Sequence, residues 1–67
     1  MAVHKVIEVL SQSSESWEDA AELAVQDAAK TLKGIKSIYI SHLQGDVEKG
    51  KIVRFRVNAK ITFEVKS

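Results

Sequence analysis

Four basic side chains occur between residues 51 and 60 with no acid among them, and they are the first candidates for chemistry: Lys51, Arg54, Arg56 and Lys60. A guanidinium group can bind a phosphate through two parallel hydrogen bonds, and it can stack on a planar ring. The group therefore indicates a site for a small anionic or planar ligand. The alternative, which the sequence leaves open, is that Arg54 and Arg56 pair with acids of neighbouring subunits.

Two acidic groups could serve a metal ion. Asp46 and Glu48 form the best local carboxylate pair for a hard cation such as calcium, and a second group consists of Glu15, Glu18 and Asp19. Calcium binds about six to eight oxygen ligands, so either group would need backbone carbonyls, water or other copies of the chain to complete a site. Both groups are also explained as solvated residues of a turn and of a helix start.

The remaining polar residues do not form a catalytic motif. His4 and His42 belong to different predicted strands, and no Ser or Cys nucleophile is placed near a base. We therefore predict that the protein is not an enzyme.

Composition narrows the class of protein further. The 67 residues carry 10 basic and 9 acidic side chains, and the net charge of +1 does not favour nucleic acid as a partner. The absence of cysteine excludes disulfides and cysteine-bound zinc, so oligomerisation is the remaining support for so small a fold. The first ten residues match neither a membrane span nor a signal peptide, so we expect a cytoplasmic protein without a membrane partner.

The elements that must position these residues follow from the hydrophobic pattern of residues 1–67, which we interpret as a single domain. Ser16 and Asp19 have the spacing of a helix-capping box, and Gly34 stands where a left-handed cap is expected at the helix end. The pattern predicts a strand over residues 2–10, a helix over 16–32, a strand over 35–44, a turn over 45–50 and a strand over 51–65.

This β-α-β-β order predicts an α+β fold in which a three-stranded antiparallel sheet packs its apolar face on one helix. Side chains alternate along a strand, so the third strand should direct one row of residues towards the helix: Val53, Phe55, Val57, Ala59, Ile61, Phe63 and Val65. The opposite face should then combine polar residues of the last two strands: Ser37, Tyr39, Ser41, Arg54, Arg56 and Asn58.

The third strand is too long for its helix. Its fifteen residues span about 50 Å at ~3.3 Å each, whereas the predicted helix of about 17 residues spans roughly 25 Å. The excess apolar row needs cover from another subunit or a strong bend of the strand, because an exposed row would promote aggregation. We therefore predict an obligate oligomer.

Five segments cover nearly the whole chain: "KVIEV" (residues 5–9), "SSESWEDA" (13–20), "AAKTLKGI" (28–35), "GDVEKGKI" (45–52) and "FRVNAKITFEV" (55–65). In their order and spacing they resemble the dodecin family. The resemblance implies a sheet that wraps around one helix, and twelve copies that assemble into a hollow sphere. It also implies flavin binding, because dodecins hold two stacked flavins at each two-fold interface between Trp side chains, with a Gln at the isoalloxazine edge.

Two positions depart from the flavin-binding pattern. Ser37 occupies the position of the stacking Trp, and Arg56 occupies that of the flavin-contacting Gln. The "SWE" at the helix start and the Arg in the last strand resemble the branch called calcium dodecins. We therefore predict a homododecamer that binds or stores a small ligand or ion. The predicted ligand-binding residues are Ser37, Tyr39, Arg54 and Arg56, and the candidate calcium ligands are Asp46 and Glu48.

Flavin remains a candidate ligand with a lower expected affinity. The loss of the Trp platform should weaken binding of both riboflavin and FMN, and Arg56 should favour FMN because it can pair with the phosphate. Two alternatives stay open at this point: a true flavin-sequestering dodecin, and a purely structural shell without a ligand.

Overall fold

The computed structural model describes residues 2–65, in which three strands and one helix follow in the order β-α-β-β. The elements are β1 (Val3–Ser13), α1 (Trp17–Ala28), β2 (Ile35–Glu48) and β3 (Lys51–Val65). Both strand pairs are antiparallel, and the order in the sheet is β1-β3-β2, so the last strand lies in the centre. The predicted α+β class and element order are confirmed, while several predicted bounds are wrong.

The core lies between α1 and the helix side of the sheet. Ala20, Ala24 and Ala28 recur at helical spacing and are buried, because their small side chains let the helix approach β1 and β3 closely. On β3 the buried residues are Val57, Ala59 and Ile61. These residues confirm the alternation over the part of β3 that the helix covers.

The helix begins as the capping box predicts, with one change of partner. The Ser16 hydroxyl accepts a hydrogen bond of 2.9 Å from the backbone N–H of Asp19. The Asp19 carboxylate instead accepts a bond of 2.6 Å from the hydroxyl of Ser13, which is buried. The same hydroxyl accepts the backbone N–H of Glu15 at 2.9 Å. The start of α1 is therefore tied to the last residue of β1.

The helix ends at Ala28, four residues before the predicted end at Leu32. The residue predicted to cap it, Gly34, does have a left-handed conformation (φ 77°), but it precedes the first residue of β2. Its carbonyl accepts the backbone N–H of Glu64 at 2.9 Å, and a Cβ here would lie 3.0 Å from the Glu64 carbonyl oxygen. The helix stops early because the chain must return to the sheet, where Ile35 pairs with Phe63.

Both outer strands are longer than predicted. β1 continues to Ser13 and β2 to Glu48, because each pairs with β3 along most of its length. The hairpin turn therefore shrinks to Lys49 and Gly50, with φ of 52° and 76°. This is the conformation of a two-residue hairpin turn, whose twist fits that of the flanking strands.

Three register shifts interrupt the pairing of β2 with β3, and the last of them lies between Asp46 and Val47. Asp46 pairs with Arg54 while Val47 pairs with Ile52, so the alternation that runs unbroken through the sequence slips here in the structure. Gly45 makes room for this arrangement, because a Cβ at that position would lie 3.1 Å from the Cγ2 of Ile52.

The hairpin end of β2 and β3, residues 43–56, extends beyond the helix, and we call it the arm. Leu43, Val47 and Ile52 of the arm are 59%, 64% and 47% exposed. The 12 residues of α1 span about 18 Å at 1.5 Å each, whereas the molecule is 52 Å long. An uncovered apolar surface is present, but it consists of residues outside the predicted row of β3, whose Val53 and Phe55 are partly buried.

Within residues 2–65, no helix has the length and apolar character needed to cross a membrane.

Candidate functional site

The face of the sheet that points away from α1, here called the outer face, is built from rows of paired residues. In each row a residue of β3 lies between its partners on β1 and β2. Arg56 lies between Gln12 and Gln44 in one such row. In a second row Lys60 lies between Glu8 and Tyr39. The register thus puts the four predicted ligand-binding residues on one face.

Arg54 and Arg56 form the most polar part of this face, and both bind the carboxylate of Asp46. The Nε of Arg54 donates to one oxygen of Asp46 at 2.9 Å, and the Nη2 of Arg56 lies 3.2 Å from the other oxygen. Glu48 is more distant, with its Oε2 3.9 Å from the Nη2 of Arg54. Within one chain, Arg54 and Arg56 thus already have acidic partners, while the pairing with acids of a neighbouring subunit that the sequence left open stays a prediction.

This pairing shifts the pKa of both Asp46 and Arg54. The hydrogen bond from Arg54, supported by the positive charge of Arg56, holds the pKa of the Asp46 carboxyl below its ordinary value. The same bond to Asp46 raises the pKa of the Arg54 guanidinium above its ordinary value. Asp46 and Arg54 therefore stay charged throughout the neutral pH range.

Two glutamines of the cluster escaped the sequence-based prediction. Gln44 accepts a hydrogen bond of 3.0 Å from Arg56 through its Oε1, and Gln12 is the partner of Arg56 on β1. Together with Leu10, Asn58 and their neighbours they line a depression of about 320 Å³. The predicted strands ended at residues 10 and 44, which left Gln12 outside the sheet. Matching the lengths of the outer strands to that of β3 would have included it.

Ser37 and Tyr39 lie on the outer face but away from the arginines. Ser37 pairs with Thr62 and Tyr39 with Lys60, six and four positions along β3 from Arg56. At ~3.3 Å per residue, Ser37 is roughly 20 Å from Arg56 along the sheet. The structure therefore does not bring the four predicted ligand-binding residues together within one chain.

The candidate calcium ligands are near each other but are already engaged. Asp46 bonds to both arginines and Glu48 approaches Arg54, so each carboxylate faces a cation of the protein. Within residues 2–65, no three side chains of His, Cys, Asp or Glu come together as a metal-binding cluster. In the second acidic group, Asp19 accepts the Ser13 hydroxyl as part of the helix cap.

Trp17, the first residue of α1, connects the helix to the base of the arm. Its indole N–H donates to the backbone carbonyl of Gln44 at 2.8 Å. Its ring meets that of Phe55 edge to face, with centroids 4.9 Å apart and planes at 83°. Trp17 therefore holds two neighbours of the arginines from the helix side of the sheet. These are the ring of Phe55, which follows Arg54 in sequence, and the backbone of Gln44, whose side chain accepts a hydrogen bond from Arg56.

This architecture can be compared with those of known proteins. The model of the family described as Dodecin matches residues 3–66. The chain belongs to the dodecin family. The resemblance drawn from the five sequence segments is therefore confirmed.

Individual dodecins agree with this assignment. The calcium dodecin of Mycobacterium tuberculosis (strain ATCC 25618 / H37Rv) is 29% identical over 66 residues, which cover 98% of this chain and 93% of the relative. A crystal structure of the M. tuberculosis calcium dodecin, described as having a novel calcium-binding site, superposes with a TM-score of 0.82 at 28% identity, covering 96% of this chain and 91% of that one. Dodecin from Streptomyces coelicolor superposes with a TM-score of 0.92 at 24% identity, covering 98% and 94%. The fold described above is the dodecin fold.

Proposed function

We propose that this dodecin is a non-enzymatic protein of the cytoplasm that binds and stores a small anionic or planar ligand in a shell of twelve identical chains. The observation that carries the proposal is the partly exposed pair Arg54 and Arg56, which share the carboxylate of Asp46. Two guanidinium groups are bonded to one carboxylate, and Glu48 lies farther away at 3.9 Å. Two guanidinium groups and two carboxylates leave the cluster without net charge, so what it offers an anion is the guanidinium donors that the acids do not use.

The geometry of Arg56 favours a planar ligand that carries a phosphate, for which FMN is the probe. Among the contacts of residues 2–65, both polar partners of Arg56 are reached through Nη2, at 3.0 Å from Gln44 and 3.2 Å from Asp46. The other nitrogens of the guanidinium can then bind a phosphate, and its plane can stack on a ring. Because Ser37 lies roughly 20 Å away along the sheet, a ligand that touches both requires a second chain.

Riboflavin should bind weakly, because Ser37 supplies no aromatic platform. Stacking of a planar base on an aromatic side chain is worth about 1–3 kcal/mol, and each two-fold interface lacks two such platforms. FMN should bind more tightly than riboflavin, and added salt should weaken FMN binding.

Titration with FMN and with riboflavin, followed by flavin fluorescence, tests this proposal. Arg56→Gln should reduce affinity for FMN more than affinity for riboflavin, because only FMN carries the phosphate that Arg56 can bind. Lys60→Gln is the matched control, because it removes the same charge from the same strand and face four residues away. Equal weakening by both substitutions would show a general charge effect instead of a site at Arg56. Submicromolar riboflavin binding by the unaltered chain would contradict the role given to Ser37.

A second candidate ligand is calcium, which the similarity to the M. tuberculosis calcium dodecin favours. We propose Asp46 and Glu48 as contributors, with further oxygen ligands from water or other copies, since calcium needs about six to eight. Calcium would have to displace Arg54 from Asp46, because the Nε of Arg54 lies 2.9 Å from the Oδ2 of Asp46. Calcium binding and anion binding at this cluster are therefore linked.

Thermal melting in calcium and in chelator tests the calcium proposal. Calcium should raise the melting temperature, because a ligand that binds only the folded state stabilises it by mass action. The change Asp46→Asn together with Glu48→Gln should abolish the increase, whereas Glu22→Gln on the exposed side of α1 should preserve it. Superimposable melting curves of the unaltered chain would remove calcium from consideration.

A purely structural shell is the remaining alternative, and the internal pairing of Asp46 with both arginines favours it. Colourless protein that shows no thermal shift with flavins, coenzyme A or calcium would support this alternative. Native mass spectrometry of gently purified protein would report the number of chains and any retained ligand together.

A further inference from the structure

Asp46 contacts both arginines of the chain with one carboxylate. Its Oδ2 accepts the Nε–H of Arg54 at 2.9 Å, and its Oδ1 lies 3.2 Å from the Nη2 of Arg56. The sequence contains no other arginine, so every guanidinium group of the chain faces this one acid. Two oxygens that bridge two guanidinium groups are also what a phosphate would supply, so Asp46 occupies the place of an anionic ligand.

The donors that Arg56 would use in a paired contact are already engaged. A guanidinium group has two edges that bind two oxygens in parallel, Nε with Nη2 and Nη1 with Nη2, and both edges include Nη2. In Arg56 this nitrogen donates to the Oε1 of Gln44 at 3.0 Å and lies 3.2 Å from Asp46. The unused donors allow a single bond to an anion, whereas a paired contact requires that Asp46 or Gln44 leaves.

Of these two partners, Asp46 is the one that an anion would replace. Its carboxylate repels a second negative charge, whereas the amide of Gln44 is neutral and can stay beside a bound anion. The backbone carbonyl of Gln44 accepts the indole N–H of Trp17 at 2.8 Å, so Gln44 is also anchored from the helix side. Arg56 therefore keeps one partner that holds it in place when Asp46 is absent.

The position of Asp46 lets it leave without disturbing the depression beside Arg56. That depression of about 320 Å³ extends from Arg56 towards Asn58, whereas Asp46 lies opposite Arg54, on the side of the arm tip. The side chain of Asp46 is 30% exposed, so solvent already reaches it. A ligand can fill the depression while the carboxylate turns out into water.

We propose that Asp46 is an internal competitor that masks the arginine pair, so that a phosphate monoester binds both guanidinium groups only after Asp46 has left them. This inference rests on the function proposed above and adds the residue that limits the affinity. A site that is open for only a fraction of the time binds more weakly by that fraction. The mask therefore keeps binding weak and the release of ligand easy.

Titration of the folded protein with phenyl phosphate at neutral pH, followed by the NMR signals of the arginine side chains, tests the mask. Asp46→Asn keeps the size of the side chain and removes its charge. It should tighten binding about two- to thirtyfold, the range expected for the loss of two exposed ion pairs. Glu48→Gln is the matched control, because it removes the same charge 3.9 Å from Arg54, a distance too long for a hydrogen bond. The control should tighten binding clearly less.

The unaltered chain supplies a second measurement. The NMR signal of the Asp46 carboxyl carbon should move as phenyl phosphate saturates the site, because the carboxylate loses both arginines. Weaker binding by Asp46→Asn would overturn the proposal, since Asp46 would then position the arginines for the ligand. Equal tightening by Asp46→Asn and Glu48→Gln would also overturn it, as would an Asp46 signal that stays in place at saturation.

Arg56→Gln separates the mask from the proposed function. Loss of phenyl phosphate binding in Arg56→Gln, with no gain in Asp46→Asn, would retain the anion site and overturn the mask. Binding by Asp46→Asn with none by the unaltered chain would support the mask and contradict storage of an anion by the unaltered chain. Absence of binding by both would overturn both.

Discussion

The two ends of the β2–β3 hairpin share one sequence pattern but differ in burial. At the covered end, Val57 and Ile61 are 1% and 0% exposed beneath α1, whereas Val47 and Ile52 of the arm remain 64% and 47% exposed. Alternation of apolar and polar residues therefore predicts the apolar face of the covered end, but it predicts neither whether an apolar face has a partner nor the face of Ile52, which lies at the register shift. The difference arises because a helix of 12 residues is much shorter than a strand of 15.

The largest effect should come from truncating the covered end. Ile61→Ala removes a fully buried side chain and leaves a cavity against Ala24 and Ala28, so the free energy of unfolding should fall by about 2–5 kcal/mol. The matched change Ile52→Ala should cost the chain's own fold much less, yet it should weaken assembly. Denaturant unfolding and light scattering, measured on both variants across protein concentrations, separate the two effects. Equal loss of fold stability from both would mean that the arm is part of the core.

Substitution of Trp17, which lies where the covered end of the hairpin meets the arm, should give the next largest loss of stability. Trp17→Phe keeps the aromatic contact with Phe55 but loses the hydrogen bond to Gln44, at a cost of about 0.5–1.5 kcal/mol. Trp17→Ala also loses the ring contact and should cost clearly more. Denaturant unfolding followed by circular dichroism measures both, since the single Trp reporter is lost in each variant. Identical stability of the two variants would contradict a structural role for the ring.

Two glycines sharpen the comparison with a smaller effect. Gly34 near the covered end and Gly50 at the arm tip have almost the same φ, 77° and 76°, so Ala should cost about 1–2 kcal/mol at each from backbone strain. Only Gly34 has a close neighbour, because its added Cβ would lie 3.0 Å from the Glu64 carbonyl, while Gly50 has open space. Gly34→Ala should therefore destabilise more in thermal unfolding. A larger loss of stability from Gly50→Ala than from Gly34→Ala would show that the backbone near Glu64 moves easily to accept the added Cβ.

The smallest effect concerns the ion cluster of the arm and depends on pH. The folded-state pKa of Asp46 lies below its ordinary value of 3.8, so its stabilising contribution is complete above pH 3.8 and is lost as pH falls through the lower folded value. Asp46→Asn should therefore be less stable than the unaltered chain at neutral pH, and the difference should disappear in acid. Denaturation midpoints at several pH values measure this, with Glu48→Gln as a control that should change less. A difference that grows on acidification would contradict the pairing with Arg54.

Local patterns were enough to predict the elements. Alternation identified β3 with its observed bounds, and Ser16 with Asp19 identified the helix start, because these signals involve neighbouring residues only. The helix end was predicted wrongly because Gly34 has the backbone conformation of a helix cap but does not cap the helix. Its carbonyl instead accepts the backbone N–H of Glu64, which lies 30 positions further along the chain. The sequence gives no sign of such a distant partner.

For the candidate site too, local sequence patterns predict one part and the pairing of distant residues decides the other. The types of Arg54 and Arg56 and their shared face follow from the sequence, because a strand directs every second side chain to the same side. Their partners do not follow, since Asp46 and Gln44 reach them through the register of β2 with β3, including a shift that moves Ile52 opposite Val47. The sequence by itself thus determined the family, the element order and the chemistry available on each face. Only the tertiary structure decided which charges meet, how far Ser37 lies from Arg56 and how much of the arm stays uncovered, because register, strand length and helix length are set by contacts between distant residues.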